Sequence, residues 1–100
     1  MKMLFTTSAT NYSEQIQKIF SEHNVTFYNE FEVGSIEKTK KPHRLGNWFG
    51  HGSQPLGKIA FFTMIDDDQA ENLMQKLEEC KREMPDCNLH AYLLNIEKGF

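Results

Sequence analysis

One hundred residues are one domain's worth of chain, long enough to close a single hydrophobic core with little margin. An apolar fraction of 39%, a charged fraction of 25% and a net charge of −3 describe an ordinary soluble domain. The apolar run Met1 to Ala9 is far too short to span a membrane and has no basic segment of a secretory signal before it. Cys80 and Cys87 therefore read as free thiols, and the cytoplasm is the expected compartment.

In chain order, MKMLFTTSA (Met1–Ala9) predicts a strand. Asn11, with Glu14 three residues on, predicts an N-cap and capping box. Tyr12, Ile16, Ile19, Phe20 and His23 follow at helical spacing, with Asn24 as the residue that closes the helix. Val25, Phe27, Phe31 and Val33 recur with period two against Glu30 and Glu32, which predicts a second strand ending at Gly34. After a long loop, KIAFFTMI (Lys58–Ile65) is apolar on both faces and predicts a central strand. Asp68, with Glu71 at the capping-box position, predicts a second helix whose apolar stripe is Ala70, Leu73, Met74, Leu77, Cys80 and Met84, ended by Pro85. LHAYLLNI (Leu89–Ile96) predicts the last strand.

The order β-α-β, long loop, β-α-β predicts an α+β fold, a ferredoxin-like βαββαβ sandwich. A four-stranded antiparallel sheet carries both helices on one face, because right-handed crossovers place them there. Residues 1–100 form a single domain with a loop over about residues 35–57. The other sheet face has no helix to cover it, yet neighbours such as Phe61 and Phe62, or Met3 and Leu4, must point to opposite faces. An apolar second face of several hundred Å² is unusual on a monomer, so further copies of the chain are expected to bury it.

Charge is distributed unevenly. Between Ser35 and Lys58 lie five basic residues (Lys38, Lys40, Lys41, Arg44, Lys58) against Glu37, a local +4, while the remainder carries −7. A basic loop on an acidic body points to an anionic ligand or an acidic partner surface met there, unless Lys38–Lys41 is merely a solvated stretch. Within the loop, HRLGNWFGHGSQPLG (43–57) holds four glycines, two histidines and the only tryptophan. The glycines let backbone turn or approach a ligand closely, and Trp48 and Phe49 are apolar enough to dock into a surface.

These elements resemble the PII-like superfamily of trimeric signalling proteins, which includes nitrogen regulatory protein PII and the CutA trimers. The resemblance runs through the MK-start strand, the helix ending near an NV turn, EFEVGS opening the long loop, GKIAFFTMIDDDQAENLMQKL and the closing LLNIEKGF. It implies a homotrimer whose loop after the second strand, the T-loop, contacts a partner protein such as a membrane transporter. A small effector would bind at the loop's base, in the cleft between subunits. The residues so placed are Gly34 and Ser35 at entry, Arg44, Trp48, Gly50, His51 and Gly52 within the loop, and Lys58 at exit. No covalent cofactor is implied, and the bound species would be a small-molecule effector or a divalent metal. Two departures speak against ATP binding of the usual PII kind. The turn MPDCNLH (Met84–His90) has no glycine where nucleotide-binding members have a glycine-rich phosphate loop, and Asp86 and Cys87 are poor phosphate neighbours. After the last strand stands only Lys98 where members present arginines.

The alternative reading is a metal-responsive trimer, CutA-like or efflux-associated, with His43 and His51 as ligands. Their spacing matches no zinc pattern, so symmetry would have to bring copies together; solvent-exposed loop histidines are the simpler reading. Asp66, Asp67 and Asp68 could hold a hard cation, but acids at a helix N-terminus are explained by its dipole. Glu30 and Glu32 share a strand face with no nucleophile or histidine nearby in sequence, and no Walker loop, nucleophile elbow or Rossmann fingerprint occurs, so an enzyme is not expected. An acidic body without the RNP1 pattern also argues against nucleic acid.

Overall fold

The computed structural model describes residues 1–34 and 57–100. Strand β1 (Lys2–Ala9) leads through a 3-10 turn (Thr10–Tyr12) into helix α1 (Ser13–Glu22). Strands β2 (Asn29–Val33) and β3 (Lys58–Ile65) follow, then helix α2 (Asp67–Glu83), a second 3-10 turn (Pro85–Cys87) and strand β4 (His90–Asn95). The strands form one antiparallel sheet in the order β2-β3-β1-β4, the ferredoxin-like arrangement expected from the element order.

Strand alternation sorts the sheet into two faces. Leu4, Thr6 and Ser8 of β1 and Ile59, Phe61, Thr63 and Ile65 of β3 are buried and face the helices. There they meet Ile16, Ile19 and Phe20 from α1 and Ala70, Leu73, Leu77 and Cys80 from α2. Phe20, Tyr28 and Phe61 form a closed triangle of edge-to-face rings with centroids 5.1–5.6 Å apart, the geometry favoured by the ring quadrupole. The opposite face carries Met3, Phe5, Phe31, Phe62, Met64, Tyr92 and Leu94, aligned across β1, β2, β3 and β4 by register. Phe31 sits 6.3 Å from Phe5 and 6.2 Å from Phe62, again edge-to-face. No helix among the described residues covers this face, and Phe31, Met64, Tyr92 and Leu94 remain exposed.

Three expected boundaries move. The N-cap is not Asn11: α1 starts at Ser13 with Tyr12 ahead of it and no side-chain cap. The Thr10 N–H donates to the Gly57 carbonyl at 3.0 Å, which ties this stretch to the start of β3, and Asn11 is absorbed into the 3-10 turn. The second helix is capped by Asp66 rather than Asp68. Gln69 decides this, since its Oε1 accepts from the Asp66 N–H at 3.3 Å while its Nε2 donates to the His23 carbonyl at 3.3 Å, joining the start of α2 to the end of α1. The second strand is shorter than its period-two pattern. Asn24, at φ 62°, does close α1, and the Val25 N–H then bonds to the Phe20 carbonyl at 2.8 Å, completing a Schellman motif. Val25 is thereby drawn into the core instead of the sheet, and pairing begins only at Asn29. No helix among the described residues is long and apolar enough to cross a membrane.

Candidate functional site

Register brings the ends of three strands to one edge of the molecule. Lys58 pairs with Ala9 on one side and Val33 on the other, so the two ends of residues 35–56, at Gly34 and Gly57, stand beside the end of β1. A cleft of about 480 Å³ lies here, lined by Ala9, Thr10, Asn11, Tyr12, Gly57 and Asp86. That volume is in the range of small-molecule sites.

Each wall has a local cause. Gly57 makes the closest approach: a Cβ placed on it would stand 3.0 Å from Thr10 Oγ1, so the lack of a side chain lets the 3-10 turn pack against the start of β3. Asp86 is delivered by the turn that follows α2. The Met84 N–H bonds to the Cys80 carbonyl at 2.9 Å, Pro85 stops the helix, and the Cys87 N–H bonds to the Met84 carbonyl at 3.0 Å. Cys87 and Leu89 plug into the core on either side of Asn88, at φ 53°, leaving Asp86 exposed at the rim. Cys80 is core, as its place on the helical stripe predicts. Burial pushes its thiol up, with Cys87 and Glu83 adding to the shift.

Of the expected ligand-contacting residues, Gly34 and Lys58 stand on adjacent strand ends. Gly34 is exposed, and a Cβ on it would meet no described residue within 4 Å. Lys58 shares the parity of Ala60 and Phe62 and so belongs to the helix-free face, and it is absent from the cleft's described lining. Ser35, His43, Arg44, Trp48, Gly50, His51 and Gly52 lie outside the described residues. Sequence reading passed over Thr10, Asn11 and Tyr12. Their signal was topological, because a β4-β1-β3-β2 sheet sets the end of β1 beside the start of β3.

A larger groove, about 640 Å³, runs between α2 and the outer edge of β4, with Met74, Leu77, Leu89 and Tyr92 among its walls. Leu89 and His90 of its wall follow on the turn that carries Asp86, and His90 pairs with Thr7 near the end of β1. Among the described residues no three His, Cys, Asp or Glu side chains are grouped to hold a metal ion. At the start of α2, Asp67 is engaged by the Met1 amino group at 3.1 Å and by Lys2 at 3.9 Å. The hydrogen bond from that amino group, with the Lys2 charge, holds its carboxyl below the usual range.

These features define a class: an α+β sandwich of ferredoxin-like topology with a long insertion between β2 and β3 and a cleft at the insertion's base. No family model and no curated protein matches the chain in sequence. The fold does match. A crystal structure from Thermus thermophilus, described as that of a PII-like signaling protein, aligns with a TM-score of 0.65 at 16% identity, covering 95% of this chain and 84% of that one. The chain therefore has the PII-like fold.

Proposed function

We propose that this protein is a cytoplasmic, non-enzymatic regulator of the PII-like kind. It assembles as a homotrimer, binds a small effector in the cleft at the base of residues 35–56, and presents that segment to a partner protein such as a membrane transporter. The observation that carries this reading is the convergence of the end of β1, the start of β3 and the α2–β4 turn around one cleft, with the end of β2 paired beside the start of β3. The apolar sheet face that no described helix covers supports assembly, and the likeness to a PII-like signaling protein supports regulation. Gly34, Ser35, Arg44, Trp48, Gly50, His51, Gly52 and Lys58 are the residues assigned to effector and partner contact. A switch of this kind requires the effector to bind the two states of the insertion with different affinity.

The alternative is a metal-responsive trimer using His43 and His51, favoured by the two loop histidines alone. Calorimetry with zinc, copper, ATP and bicarbonate on the wild type, His51→Ala and Arg44→Ala separates the two. Metal binding lost only in His51→Ala, and fading as pH falls through about 6.5, establishes the alternative. Effector binding without metal binding establishes the first reading. A wild type that binds none of the four removes both assignments for these ligands.

A further inference from the structure

We draw no further inference here: the strongest candidate, the groove of about 640 Å³ between α2 and the outer edge of β4, carries nothing because nothing in the structure shows what covers it.

Discussion

Three side chains have consequences that a single substitution reads out. At Gly57 a methyl group would meet Thr10 Oγ1 at 3.0 Å, so the Thr10 side chain would have to give by a few tenths of an ångström. At Gly34 the same methyl meets nothing within 4 Å among the described residues. Gly57→Ala should therefore lower the melting temperature, while Gly34→Ala should be neutral or raise stability by about 0.5 kcal/mol through the unfolded chain's lost freedom. Thr6 is fully buried among the helix-facing residues of β1, and its hydroxyl finds no hydrogen-bond partner among the described residues. Thr6→Val keeps the shape and removes the orphaned polar group, so urea unfolding should show a gain of about 1 kcal/mol. Asp67 is held ionised by the Met1 amino group and Lys2. Because its folded value lies below the unfolded one, its contribution is complete above the ordinary carboxylate value of 3.8 and is lost as pH falls through the lowered value. Urea unfolding from pH 7 to pH 2 should show a smaller acid-side loss in Asp67→Asn than in the wild type; identical acid limbs would remove the pairing from the account.

At the scale of elements, the ends of the two helices are joined. Asn24 adopts the left-handed conformation that closes α1, and the carbonyl of His23, just before it, receives the side chain of Gln69 from the first turn of α2. Asn24→Gly should be tolerated, whereas Asn24→Ala should cost about 1 kcal/mol because alanine resists positive φ. Gln69→Ala removes both the capping bond to Asp66 and the link to His23, with an expected cost of about 1–2 kcal/mol by chemical denaturation. A Gln69→Ala variant as stable as the wild type would mean that helix packing alone sets the start of α2. Sequence alone placed both caps within two residues but chose the wrong ones. Three consecutive aspartates can each begin a helix, and which one does depends on the contact that Gln69 makes with His23, 46 positions before it.

For the whole molecule the decisive feature is the sheet face that no helix among the described residues covers. Phe5, Phe31 and Phe62 form a contiguous aromatic patch there, flanked by Met64, Tyr92 and Leu94. If three copies bury these faces together, light scattering at micromolar concentration should give about three times 11.7 kDa. Phe31→Asp, on a face that leaves this ring 43% exposed, should shift the mass towards the monomer without unfolding the helical side of the core. A wild type that scatters as a monomer would remove the trimer from the proposed function.

Element order, strand alternation and helical stripes, all local patterns, determined the ferredoxin-like fold, the burial of Cys80 and the two-sided apolar strands. These follow from periods of 2 and 3.6, which assign each side chain to a face once the element type is set. Tertiary structure alone decided where strand pairing stops and which residues wall the cleft. Val25 reads as a strand residue by its spacing, and only the left-handed turn at Asn24 sends it into the core. Gly34 and Lys58 were legible as the residues that flank the insertion, but neither is among the described lining of the cleft. Thr10, Asn11, Tyr12 and Asp86 were not legible as one site, because 74 positions separate the end of the first turn from Asp86 and only the sheet order and the plugged turn after α2 bring them to the same edge.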